Sequence, residues 1–259
     1  MSEQNFAGRT AIIVGGASGM GLLAGQDLAK QGATVILADV NGEKVEALAA
    51  DIRANGGNAY GVKCDVRKVE DIENAVAFTR EKGGSVDIMI YTAGGFAGRI
   101  FNCPEPFQSR PYEVLDWGID VNLKGALFFC RAVIGTMIEQ KRGVMIVLGS
   151  IDGVTGSAWS VDYSAAKSGM IGMVKGLALL PRSRPHPPGH GEHAHSDGSR
   201  RRTAGSRRPD SLSRQRQSRL HLRRQLPHRR SPRLHGPLTR ANTQNLSGQD
   251  TKYPVRFLF

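Results

Sequence analysis

The stretch that decides the fold is Thr10-Ala11-Ile12-Ile13-Val14-Gly15-Gly16-Ala17-Ser18-Gly19-Met20-Gly21. Its first five residues lack polar alternation and read as a strand buried on both faces, and the glycine-rich turn behind them opens onto a helix. Such a turn suits a pyrophosphate. Glycine lets the backbone approach an anion, and the unpaired N–H groups at a helix N-terminus face it with the positive end of the helix dipole. Taken alone, a glycine cluster is also an ordinary strand–helix turn. Its place directly after the first strand favours a nucleotide, with Gly15, Ser18, Gly19, Met20 and Gly21 as candidate cofactor contacts.

Outward from this turn, short apolar runs alternate with amphipathic stretches, the pattern of βαβ units on a parallel sheet. Leu23 and Leu28 lie at helical spacing, and Gly32 is placed to end that helix in a left-handed conformation. The second strand spans Thr34–Ala38. Asn41 is the expected N-cap of a helix that carries Val45, Leu48 and Ile52 on one face and stops at Gly56-Gly57. A third strand is expected at Ala59–Cys64, a helical face at Val69, Ile72 and Val76, a fourth strand at Val86–Tyr91, a long helix over about Asn122–Gln140, a fifth strand at Val144–Leu148 and a last helix over about Val161–Leu180.

Asp39 ends the second strand 18 residues after Gly21. An acidic side chain there can accept hydrogen bonds from the adenosine ribose hydroxyls of NAD and would repel a 2′-phosphate. Ser18, inside the turn, offers no positive charge for that phosphate. A solvated strand-end aspartate is the plainer alternative.

A second constellation is Tyr163-Ser164-Ala165-Ala166-Lys167, with Ser150 thirteen residues before the tyrosine. Residues four apart share a helix face, so the ammonium can sit near the phenol oxygen. A nearby cation stabilises phenolate and draws the tyrosine pKa from about 10 toward neutrality, as a general acid or base requires. Ser150 closes the fifth strand at the carboxyl edge of the sheet, where open α/β folds bind ligands. Alone, Tyr-x-x-x-Lys is most often a surface pair; behind a nucleotide turn and a strand-end serine it reads as catalytic.

Across residues 8–180 the sequence resembles the short-chain dehydrogenase/reductase family. The resemblance rests on Gly15-x-x-x-Gly19-x-Gly21, Asp39, Asp65-Val66, Ala93-Gly94, Asn122, Ser150 and Tyr163-x-x-x-Lys167, in that order. It implies a Rossmann-type doubly wound parallel sheet and alcohol–ketone interconversion by hydride transfer with NAD. It further implies that Asp65 and Val66 contact the adenine, that Ala93 and Gly94 line the cofactor site, that Asn122 helps hold a water-linked proton relay, and that Lys167 also binds the nicotinamide ribose. Two departures stand out: Val14 where the family usually has Thr, and Tyr91-Thr92 where it usually has Asn-Asn. Both positions are structural, so they bear on local stability more than on chemistry. Phe96–Phe107 and Trp159 read equally as a substrate pocket or as ordinary packing.

The bulk numbers divide the chain at the same place. Of 259 residues, the first 180 hold 17 Lys and Arg against 19 Asp and Glu, a net of −2; by difference from 35 and 23, residues 181–259 hold 18 against 4, a net of +14. The basic character therefore belongs to the tail, which also contains all seven histidines and nine of the twelve prolines, with no Ile, Met or Trp and Val255 as its one valine. No hydrophobic period can be written through it, so two regions are expected: an NAD-binding and catalytic domain over 1–180, and a disordered Arg/Pro/His-rich tail over 181–259 that leaves the sheet incomplete on its C-terminal side. The tail's composition resembles a GC-rich gene read out of frame, and both a native and a frame-shifted origin stay open.

Three functions follow: an oxidoreductase acting on a small-molecule alcohol or ketone, whose turnover the tail puts in question; an NAD-binding remnant without turnover; and nucleic-acid binding through clusters such as Arg200-Arg201-Arg202, for which the support is electrostatic and unspecific. The resemblance implies a homo-oligomer, although the surfaces through which members associate belong to the part the tail displaces. Cys64, Cys103 and Cys130 have no metal-ligand spacing and read as buried thiols in a reducing compartment. The polar start Met1-Ser2-Glu3 is unlike a secretory signal, and no uninterrupted apolar run has the roughly 18–20 residues of a membrane span, so a cytoplasmic location is expected.

Overall fold

The computed structural model describes residues 5–180 and 255–258. Five strands, β1 (Thr10–Val14), β2 (Thr34–Asp39), β3 (Asn58–Lys63), β4 (Ile88–Tyr91) and β5 (Gly143–Val147), form a parallel sheet. A sixth, β6 (Val255–Leu258), pairs parallel with β5 in the register Gly143↔Val255 to Ile146↔Leu258, giving the order β3-β2-β1-β4-β5-β6. The helices are α1 (Gly19–Lys30), α2 (Gly42–Ala54), α3 (Val69–Gly83), α4 (Ala97–Ile100), α5 (Tyr112–Ile119), α6 (Gly125–Glu139), α7 (Asp152–Thr155) and α8 (Val161–Ala178). This is the doubly wound Rossmann arrangement, whose reversal of strand order at β1/β4 opens a ligand crevice at the carboxyl ends of the strands.

Burial on both faces explains the strand composition. Ile12, Val14, Ile36 and Met89 point into one core with α3, α6 and α8, while Ala11, Ile13, Val35 and Leu37 point into the other with α1 and α2. On α1 the buried face is Gly21, Gly25, Leu28 and Ala29; Leu23 is exposed, contrary to the expected apolar face. Gly25 explains the choice, because a Cβ there would stand 2.8 Å from Leu37 Cδ2, so its absence lets the helix settle on β2. Local signals behave as expected at two ends: Asn41 Oδ1 accepts from Lys44 N at 3.0 Å, and Gly32 has φ +91° just past α1.

Two further features differ from the expectation. The fifth strand is paired along one side by β6, a Val-Arg-Phe-Leu run too short to register as a period in a long polar tail. The expectation of disorder for the rest of the tail falls outside the described residues. The long helix also begins earlier than Asn122: α5 leads through a π-turn, Asp120–Lys124, into α6 without a break. This run, Tyr112–Glu139, is long and apolar enough to cross a membrane. Here it lays Phe129, Cys130, Val133 and Met137 into the sheet core, and it pairs Lys124 with Asp120 at 2.8 Å. At the amino ends of the central strands β1 and β4, Asp87 accepts from Thr10 N, Ser85 Oγ, Arg9 and Arg142; burial pushes its carboxyl up, yet these donors together hold it below its ordinary range.

Candidate active site

The glycine turn is shaped by what its glycines lack. Gly15 has φ +85°, and a Cβ there would stand 2.6 Å from Ala93 N; a Cβ on Gly21 would fall on the Gly15 carbonyl. Close packing of α1 on the turn therefore requires both. The first N–H groups of the turn are consumed by β2: Gly15 N and Gly16 N donate to Ala38 O at 2.8 and 3.1 Å, and Ala17 N donates to Asp39 Oδ2 at 3.2 Å. Those of Ser18, Gly19, Met20 and Gly21 have no protein acceptor among the described residues, and Ser18 caps α1 without a side-chain hydrogen bond. Four donors at the positive end of a twelve-residue helix are what a pyrophosphate needs.

A cleft of about 370 Å³ lies over this turn and is lined by Gly15, Ser18, Gly19, Met20, Gly21, Asp39, Asp65, Val66, Ala93 and Gly94, which brings together ten of the expected cofactor contacts. Asp39 is fixed rather than mobile, because Asn41 N donates to its Oδ1 at 3.1 Å while Ala17 N holds the other oxygen. Asp65 is held by Arg67, whose Nε and Nη2 donate to the carboxylate at 2.9 and 2.7 Å. That guanidinium keeps the Asp65 carboxyl below its ordinary range despite burial. Sequence reading missed Arg67, along with Val40, Cys64, Thr92, Ile100, Trp117 and Val121, which complete the lining. Only Thr92 and Arg67 carried a signal, as polar residues beside motif positions.

The departure Tyr91-Thr92 leaves no weakness. Tyr91 is fully buried in the core, its hydroxyl donates to Val121 O at 2.7 Å, and burial pushes its pKa well up. Gly125 makes the space, since a Cβ there would lie 2.5 Å from the Tyr91 oxygen. Thr92 Oγ1 stands 2.8 Å from Val14 O. Val14 itself is buried against β2 and β4.

Asn122 sits in the π-turn with no exposure. Its Nδ2 donates to Gly95 O and Gly118 O at 3.0 and 2.8 Å, and its Oδ1 accepts from Gly95 N at 2.9 Å. Both amide protons are thus engaged. A π-turn inside a helix is frequent at functional sites, and this one aims a polar side chain at the β4 end of the cleft.

Ser150, Tyr163 and Lys167 are not part of the cleft lining. Ser150 follows β5, and its Oγ accepts from Asp152 N at 3.2 Å. On α8, Lys167 Nζ lies 5.4 Å from the Tyr163 ring centroid, so the two share a face as the spacing predicts. Lys167 donates to Leu148 O at 2.7 Å, tying α8 to the end of β5, and burial pushes its pKa down to about 8. Among the described residues no hydrogen bond joins Ser150 and Tyr163. Beside them runs a feature the sequence did not reveal: Arg110 and Asp162 form a buried ion pair at 3.3 Å, with Arg110 Nη2 also donating to Glu105 O and Trp159 O. Their sequence separation of 52 residues hides the pair from any local pattern.

Trp159 is 73% exposed, so it is not core packing; Phe101 stands edge-on to Trp117 at 5.7 Å, and Arg110 lies over Phe96 at 5.5 Å. Cys64 and Cys130 are buried thiols pushed up to about 12 by burial, whereas Cys103 is only half-buried.

The short chain dehydrogenase family model matches residues 9–183, and the chain belongs to this family of oxidoreductases. Among curated relatives it is 34% identical over 174 residues to (2S)-[(R)-hydroxy(phenyl)methyl]succinyl-CoA dehydrogenase subunit BbsD of Thauera aromatica, covering 66% of each chain. It is 35% identical over 179 residues to tropinone reductase-like 1 of Erythroxylum coca, covering 68% of this chain and 62% of that one. A crystal structure of NAD+-bound xylitol dehydrogenase superposes with a TM-score of 0.63 at 27% identity, over 68% of this chain and 65% of that one. The chain thus spans about two thirds of the length of the relatives it matches.

Proposed function

We propose that the chain is an NAD(H)-dependent oxidoreductase that interconverts a small-molecule alcohol and its ketone. The observation that carries this reading is the placement of the Asp39 carboxylate at the cleft wall, fixed by two backbone N–H donors, beside four N–H groups of the α1 turn that lack acceptors. The NAD+-bound state of the similar xylitol dehydrogenase supports it. The residues fit such a cofactor: Ser18, Gly19, Met20 and Gly21 would take the pyrophosphate, Asp39 the adenosine ribose, and Asp65, Val66, Ala93 and Gly94 the remaining wall. When bound, the nicotinamide supplies or accepts a hydride.

The chain's own part is the proton. In reduction Tyr163 gives its hydroxyl proton to the substrate oxygen, which Ser150 also hydrogen-bonds; in oxidation Tyr163 takes the proton back. Lys167, as ammonium on the same helix face, stabilises the phenolate. Both amide protons of Asn122 are engaged by Gly95 O and Gly118 O, so its side chain has none to give a relay water.

One observation favours a second reading, a nucleotide-binding chain without turnover: Ser150 and Tyr163 lie outside the cleft, and Ile151, Val154 and Trp159 beside them are exposed. Fluorescence titration with NADH and NADPH, followed by a reduction assay over a ketone panel, separates the two. NADH binding more tightly than NADPH, with turnover, is expected. Tighter NADPH binding overturns the cofactor assignment, and binding without any turnover selects the second reading.

A further inference from the structure

We propose that Thr92 is a positioning residue: its hydroxyl latches the glycine turn in the shape that presents the α1 N–H groups to a dinucleotide pyrophosphate. The inference rests on the nucleotide reading above and adds to it a residue outside the glycine turn.

Thr92 follows β4, and it is fastened to β1 twice. Its backbone N–H and its hydroxyl both reach Val14 O at 2.8 Å. The same Oγ1 stands 3.2 Å from Gly15 O, so one hydroxyl spans two consecutive carbonyls at the point where β1 becomes the turn. A hydroxyl has a single proton to give, and the shared geometry pins both peptide planes. The glycines converge on this oxygen: a Cβ on Gly15 would come within 2.8 Å of it and a Cβ on Gly21 within 2.5 Å. Thr92 therefore stands beside the turn at the cleft wall, where its hydroxyl fixes the direction of residues 14–16 and the seat of Gly21 in the first turn of α1. Downstream, Gly16 N and Ala17 N are already committed to β2. With both flanks tied, Ser18 to Gly21 have one orientation, and a ligand meets donors that need no rearrangement.

The hydroxyl matters and the methyl does not, so the test is a replacement that keeps shape and removes the donor. NADH, ADP-ribose and adenosine are titrated against the full chain and its Thr92→Val and Thr92→Ser variants, with thermal melts recorded in parallel. Thr92→Val is expected to raise the dissociation constants of NADH and ADP-ribose about tenfold, as loss of a hydrogen bond and misalignment of charge-assisted donors would. Adenosine, which has no phosphate, should bind as before, and Thr92→Ser should lie within about threefold of the parent. Equal affinities of the parent and Thr92→Val for NADH, an equal loss for adenosine, or a serine variant no better than valine would each overturn the latch. If Thr92→Val does not fold, Thr92→Ala is compared with Thr92→Ser in its place, and equal NADH affinities for those two have the same consequence. A parent chain that binds no NADH overturns the nucleotide reading and the latch together, whereas NADH binding indifferent to Thr92 removes the latch alone.

Discussion

The two halves of the site are built by different means. The cofactor half is made of backbone: glycines at Gly15 and Gly21 that admit no Cβ, N–H groups at the α1 terminus, and Asp39 held by Ala17 N and Asn41 N. The catalytic half is made of side chains on α8 and the β5 end, joined by Lys167 to Leu148 O, while the Arg110–Asp162 pair ties α8 to the segment before α5. The first lines a cleft of about 370 Å³. The second is open, with Ile151 69% and Val154 73% exposed next to Ser150. Backbone geometry is specified by local sequence, whereas side-chain placement depends on what packs around two distant elements, so the halves should fail separately.

The sharpest break is Tyr163→Phe. In a chain that turns over, loss of the proton donor is expected to lower the rate by about 10²–10⁴-fold and leave the NADH dissociation constant within about twofold. Steady-state kinetics beside fluorescence titration reads both. A variant that turns over near the parental rate would remove Tyr163 from the proposed role, and one that also loses NADH would deny the separation of the halves.

Next in size is the buried pair. Arg110→Met leaves Asp162 as an uncompensated charge among side chains, and breaking such a pair costs about 3–5 kcal/mol. Arg110 Nε and Asp162 Oδ2 are already buried without partners, so the pair has little to fall back on. Urea denaturation should show this loss, whereas the surface pair Arg53–Glu46 should yield at most about 1 kcal/mol to Arg53→Ala. Comparable losses at the two sites would mean that Arg110 and Asp162 are solvated.

On the cofactor side the expected effect is smaller. Asp39→Ala removes a charge that faces a 2′-phosphate and should narrow the preference for NADH over NADPH by roughly tenfold. Measured by the same titrations, an unchanged ratio would place the discrimination elsewhere in the cleft.

These differences also explain what could be read in advance. The strand Thr10–Val14 and its glycine turn are legible because the physics is local: an apolar run, then residues that must lack a Cβ. Tyr163 and Lys167 are legible because helical spacing alone puts them on one face. The π-turn at Asn122 leaves no mark in composition, since its contacts come from the distant Tyr91 at the end of β4 and Gly95 in the loop behind it. Tyr91 looked like a departure that weakens the sheet; only the space left by Gly125 shows that it is satisfied. β6 was hidden for the opposite reason, because four strand-like residues are invisible against a long aperiodic tail.

The last effect is spread over pH and concerns charge in the catalytic half. Lys167 is buried, and its pKa falls from 10.5 to about 8 because desolvation penalises the ammonium. The unfolded chain therefore holds its proton up to about pH 10.5 while the folded chain releases it near pH 8, so between these limits unfolding takes up a proton and stability rises with pH, by at most about 1.4 kcal/mol per unit. Below pH 8 the penalty is present in full. Cys64 and Cys130 act in the opposite sense, because thiols raised from 9.0 to about 12 lose their contribution as pH climbs past 9 and the unfolded thiols ionise. A single chain would show only the sum. The comparison of the parent with Lys167→Met isolates the lysine, since the thiols are common to both. The stability of Lys167→Met relative to the parent should hold steady up to pH 8 and then decline toward pH 10.5, as urea denaturation at pH 7, 8, 9 and 10 would show. A difference that stays flat over that range would mean that Lys167 keeps its ordinary pKa, and with it that the catalytic half is more solvated than the hydrogen bond to Leu148 O implies.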